Sequence, residues 1–249
     1  ALTRDVPFAD YESSALIAEV SNELSRALGY QGPKVDGRVT PRTVFRGMLP
    51  GELTGPYVSQ FLARPFKMGS IDIEQRQKSA LPNADFMLRY SEWFGIQLGE
   101  GKGPGNQHED TARYIRNGRD LSNFVHYDSG YSPFYHALWI MLGFGPDAYM
   151  ENNPYTKAKG QEPYVNFGTP DSLDFLGRAA KPAFNAAWFQ KWFIHRRARP
   201  EAIGARIFQN AVGNEAYPIH EQIMNSRALA STYSKFGTYL FPQAYSEGC

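Results

Sequence analysis

With 249 residues, 42% hydrophobic and 20% charged, the sequence can build a sizeable core and is not a disordered, collagenous or coiled-coil chain. Its 26 basic and 25 acidic residues nearly cancel, which argues against a nucleic-acid binder. No apolar run reaches the roughly 18 residues that a membrane helix needs, and a single cysteine, Cys249, excludes an internal disulfide and a cysteine-based metal site.

In chain order, Ser13–Leu28 places Leu16, Ile17, Val20, Leu24 and Leu28 at helical spacing, with Gly29 as a natural terminator. Residues 32–56 are rich in Gly and Pro and read as a long loop, with one helical turn near Tyr57–Leu62. Phe66–Gln77 alternates around Phe66, Met68, Ile71 and Ile73 with Gly69-Ser70 between, the pattern of a small β-hairpin. Asn83–Phe94 is a short amphipathic helix, and Gly99–Gly105 a surface loop that lacks the Gly-Lys-Ser/Thr ending of a phosphate loop.

Glu109–His126 and Pro133–Leu142 follow as helices, the second apolar nearly all round and hence expected to be buried. Beyond the connection 152–168, a short helix is expected at Asp171–Arg178 and a longer one at Pro182–Ala198. A further helix starts at Pro200 with Glu201 in its first turn, and a last one covers Glu221–Tyr233. The expected fold is mainly α, a helix bundle with one small hairpin and long loops, in a single domain over 1–249.

Several clusters bear on chemistry. His126, Asp128 and His136 contain metal-ligating types at loose spacing, where packed or capping histidines are the default. Asp171, Asp174, Asn152 and Asn153 offer oxygens for calcium without an EF-hand loop, and helix capping is the simpler reading. No Gly-x-Ser-x-Gly elbow supports a hydrolytic serine.

The segment from Lys181 to Arg206 stands apart: six basic residues against Glu201 alone, a local excess of +5. On a helix, Phe184, Trp188, Lys191 and His195 share one face at spacings of four, three and four. A lone ammonium in an aromatic stripe is costly to bury unless an anion meets it. Arg199, before the Pro200 break, has the planar fork that suits a tetrahedral oxyanion. A solvated basic helix end accounts for the same residues.

Here the sequence resembles the vanadium-dependent haloperoxidases, above all the bromoperoxidases of marine algae and their bacterial relatives. Lys191 is followed, after seven residues, by Arg199-Pro200, the spacing of that family's first signature. Trp188-Phe189-Gln190-Lys191-Trp192, Glu201-Ala202, Ala1–Phe8, Gly55–Gln60, Arg116–Leu121, Val165–Gly168 and Leu240–Ala244 resemble family landmarks in order. The family's Pro-Ser-Gly-His stretch and its later arginine-histidine signature do not occur here. The resemblance therefore implies a central portion of such an enzyme, truncated at both ends relative to the family, with the vanadium-bonding histidine expected beyond Cys249.

What the resemblance implies is the helical architecture shared with acid phosphatases, and a vanadate cofactor that activates hydrogen peroxide to oxidise bromide. Hypobromous acid or an equivalent would then halogenate small organic substrates. Lys191 is implied as the catalytic, vanadate-binding lysine, Arg199 as a vanadate ligand, Trp188 as a pocket residue and His195 as a group behind the site. A homo-oligomer and a secreted, periplasmic or cell-wall location are implied as well. A buried Lys191 would contribute about 3–5 kcal/mol to vanadate binding. Two other readings are a phosphatase-like hydrolase, since phosphate and vanadate share geometry, and a helical fragment without catalysis.

Overall fold

A computed structural model describes residues 1–101 and 103–248. In chain order it contains α1 (Ala15–Arg26), β1 (Phe66–Met68), β2 (Ile71–Ile73), α2 (Tyr90–Leu98), α3 (Gly118–Tyr127), α4 (Ser132–Leu142) and α5 (Thr169–Trp188). A π-helical turn (Phe189–Ile194) follows, then α6 (Pro200–Val212), α7 (Glu221–Met224) and α8 (Arg227–Phe236). The expected class holds: mainly helical, with one antiparallel hairpin among the described residues and long loops between. The hairpin pairs Phe66 with Ile73 and Met68 with Ile71, and Gly69 at φ 64 makes the turn that its missing Cβ permits. The lone cysteine, Cys249, and Lys102 of the expected glycine loop lie outside the described residues.

The chain divides into two compact units, Ala1–Tyr57 with Gln77–His126 and Ala198–Cys249, and Val58–Arg76 with Tyr127–Arg197. In the first, Ser14 caps α1 by accepting from the Ile17 N–H (3.3 Å), and Ile17 meets Tyr11, Val39 and Val44 in a core lined by Phe8, Val20, Leu24 and Tyr57. The Tyr57 hydroxyl satisfies two loop carbonyls, those of Pro41 (3.0 Å) and Val44 (2.9 Å). Polar side chains tie the distant segments together. Arg119 is 1% exposed and donates to both Asp5 oxygens (2.5 and 2.9 Å), to Asp85 (3.2 Å) and to the Ala84 carbonyl (2.7 Å). Arg4 pairs with Asp85 and donates to the Pro242 carbonyl (2.9 Å).

Three helical expectations in this unit change. Asn83 and Met87 take positive φ (62° and 58°), so α2 begins only at Tyr90. Residues 109–117 are extended: Arg113 exchanges backbone hydrogen bonds with Gln77, while its guanidinium spans Glu109 (2.6 and 2.8 Å) and Asp120 (2.8 Å). The last helix divides at Asn225, because Ser226 caps a new start by accepting from the Leu229 N–H (3.2 Å).

In the second unit α4 packs against β1 and α5. The Tyr135 hydroxyl donates to the Leu173 carbonyl (3.4 Å), and Tyr131 meets Phe184 at 5.1 Å. Only Ile140 of α4 is buried, with Phe134 and Met141 about half exposed, so its uniform apolarity did not mean uniform burial. The two helices expected at 171–178 and 182–198 are one: α5 runs through Pro182, whose missing N–H removes one hydrogen bond without ending the helix.

Candidate functional site

α5 sets up the aromatic end of the site. Phe184 and Trp188, four apart, make the contact expected of a helical face, with rings 5.5 Å apart. Immediately afterwards the helix widens into the π-turn, where the His195 N–H reaches the Gln190 carbonyl (2.9 Å), an i→i+5 bond. This shifts the register of everything after Trp188. The single α-helical face drawn through Phe184, Trp188, Lys191 and His195 therefore stops at Trp188, and nothing in sequence periodicity marks the change.

Lys191 is exposed, and its Nζ sits 4.6 Å from the centre of the Trp192 ring. The expected burial fails because the surrounding rings are open themselves: Trp188, Phe189, Trp192, Phe193 and Ile194 each keep about half their surface exposed. Among the described residues Lys191 pairs with no carboxylate. His195 is exposed and closes the π-turn through its backbone. Arg196 follows in the left-handed region (φ 47°), which stops the helix.

The chain enters the first unit at Ala198, so Trp188, Lys191 and His195 belong to one unit and Arg199 to the other. Arg199 is extended (φ −68°, ψ 155°), as a residue before proline should be, and stands at the N-cap of α6 with Pro200 in the first turn. Its carbonyl accepts from the Ala202 and Ile203 N–H groups (3.0 and 3.1 Å). The side chain is half exposed, with Nη1 3.6 Å from Glu201 Oε1. Glu201 was legible only as a favourable first-turn acid, yet it is 3% exposed. The signal that could have found it is its place at the head of the stripe formed with Gly204 and Ala205.

Among the described residues, no three His, Asp or Glu side chains gather as a metal site. His126 bonds Glu247 (2.9 Å) and stacks on Tyr245, whereas His136 lies between Gln75 (2.7 Å) and Ser132 (3.3 Å). Burial holds the His136 imidazole below its ordinary value, against the opposing charge of Asp128. Three of the four suggested calcium ligands are engaged elsewhere. Asp171 accepts from the Phe167 N–H (2.7 Å), Asp174 pairs with Arg178 (2.8 Å), and Asn153 accepts from the Tyr155 N–H (2.9 Å).

With this helical fold the chain belongs to the vanadium haloperoxidase family, and it is homologous to the vanadium-dependent bromoperoxidases. It is 31% identical to the vanadium-dependent bromoperoxidase of Ascophyllum nodosum over 266 aligned positions, covering 100% of this chain and 47% of that protein. The Corallina officinalis enzyme is 30% identical over 85% of this chain and 43% of its own length, and that of Corallina pilulifera 33% over 71% and 34%. All of this chain matches 43% of the homohexameric second vanadate-dependent bromoperoxidase of Ascophyllum nodosum, with TM-score 0.87 and 28% identity. The chain thus spans about half the length of its relatives, or less. No protein-family model matches it.

Proposed function

We propose that the protein acts as a vanadium-dependent bromoperoxidase, with Lys191 and Arg199 contributing donors to vanadate and Trp188 lining the pocket. The observation that carries this reading is the similarity to three bromoperoxidases, which for one of them runs the full length of the chain. The donor chemistry fits the group: an ammonium with no carboxylate partner among the described residues, and a guanidinium half open to solvent. Both favour a tetrahedral oxyanion through charge-assisted hydrogen bonds. Bound vanadate would supply Lewis-acid activation of hydrogen peroxide for the oxidation of bromide.

Lys191 keeps its ammonium over the Trp192 ring, which limits the rotamers open to a flexible stem and leaves its N–H donors for the anion. Arg199 offers a planar fork from a backbone that Pro200 fixes, so its approach to an oxyanion depends on few free torsions. A homo-oligomer is part of the same reading, supported by the homohexameric relative.

The test is bromination of a phenolic dye with hydrogen peroxide and bromide, with and without orthovanadate, beside hydrolysis of a phosphate ester. Vanadate-dependent bromination is the expected result. Ester hydrolysis in its place would assign a phosphatase-like hydrolase, and neither activity would leave a non-catalytic helical fragment.

A further inference from the structure

The buried face of α6 begins with a charge. Glu201, Gly204 and Ala205 are its buried residues, and Phe208 continues the same stripe by stacking on Tyr90 at 5.5 Å. The packing is close: a Cβ at Gly204 would stand 2.7 Å from both the Cβ and the backbone nitrogen of Phe241. Apolar or small side chains suit such a stripe, whereas a carboxylate at its head loses hydration and requires compensation. Glu201 Oε2 is buried with no hydrogen-bond partner among the described residues, and Oε1 has Arg199 Nη1 at 3.6 Å.

We infer that Glu201 is a positioning residue: its buried carboxylate anchors the Arg199 guanidinium at the start of α6 and orients the fork that receives the oxyanion. This rests on the proposed role of Arg199, although the anchoring itself requires no vanadate. The sign of the effect distinguishes it from simple electrostatics. By charge alone, a carboxylate beside an anion site weakens binding, so removing it would tighten vanadate; if it anchors the arginine, removing it loosens vanadate.

The experiment uses the full chain as wild type, Glu201→Gln, Glu201→Asp and Arg199→Ala. Without vanadate, ¹⁵N relaxation at the Arg199 Nε–H should show an ordered side chain in wild type and an order parameter below about 0.6 in Glu201→Gln, with Glu201→Asp between. Unchanged order in Glu201→Gln overturns the inference. Calorimetric titration with orthovanadate should give about tenfold weaker binding in Glu201→Gln, near the loss of one charge-assisted hydrogen bond; equal or tighter binding overturns it. Loosening of Arg199 in a protein whose wild type binds no orthovanadate would uphold the anchor and reject the bromoperoxidase reading. Should Glu201→Gln fail to fold, Glu201→Asp still decides, with Arg199→Ala identifying the Nε–H resonance by its loss: an Arg199 order parameter equal to wild type in Glu201→Asp overturns the anchor.

Discussion

Arg119 shows how much one side chain can hold. Its guanidinium is enclosed by two carboxylates and a carbonyl, so truncation strands Asp5 and Asp85 with a reduced complement of donors. Arg119→Met is expected to destabilise the protein by about 3–5 kcal/mol, the range for breaking a buried pair, measured by urea unfolding. Glu247 responds to acid instead. Burial pushes its carboxyl up, but hydrogen bonds from Asn106, Ser246, its own backbone and His126 outweigh that and bring it down to about 2 from 4.5. A depressed carboxyl stabilises the fold above its unfolded value and stops doing so as pH falls through its folded one. Exchange protection of the Ser246 amide, held by Asn106 Oδ1 at 2.9 Å, should therefore decline between pH 4.5 and about 2, and Glu247→Gln should flatten that profile. At Lys191, exposure lowers the stakes below what burial would have implied. Lys191→Ala should weaken orthovanadate binding by about 1–2 kcal/mol rather than 3–5, a change of about five- to thirtyfold by calorimetry.

Among the elements, α6 has little room for added volume at Gly204. Gly204→Ala places a methyl against the Phe241 backbone, which cannot move as a flexible side chain would, and should cost about 1–3 kcal/mol by urea unfolding. The elements differ in how clearly the sequence announces them. α1, the hairpin and α6 have local signals: apolar periodicity after a serine cap, alternation around Gly69-Ser70, and Pro200 followed by Glu201. Residues 109–117 have helical composition, but their backbone and charges are committed to Gln77 and Asp120, partners that composition does not reveal. Pro182 reads as a boundary, yet α5 passes through it on the strength of tertiary packing. The candidate site divides the same way. Lys191 and Arg199 were legible from spacing and charge, whereas the π-turn between Trp188 and His195 and the burial of Glu201 depend on hydrogen-bond register and packing that periodicity cannot report.

For the molecule as a whole, no described helix is long and apolar enough to cross a membrane. The aromatic stretch 188–194 nevertheless stays about half exposed, leaving large apolar surface for another contact. In line with the proposed homo-oligomer, sedimentation velocity should give a mass that is a multiple of the single chain at micromolar concentration; a monomer at every concentration would reject assembly of this chain.

The interleaved units also impose an order on biogenesis. The second unit is complete in sequence at Arg197, whereas the first has its segments spread on both sides of it. Arg4 must wait for Pro242, 238 positions later. At a translation rate of about 5–20 residues per second, that wait lasts roughly 12–48 s. Asp85 and Arg119 arrive earlier for Arg4 and Asp5, and α1 has its core partners once Tyr57 is made, so the seam left open longest in the nascent chain is the one that the Pro242 carbonyl closes on Arg4.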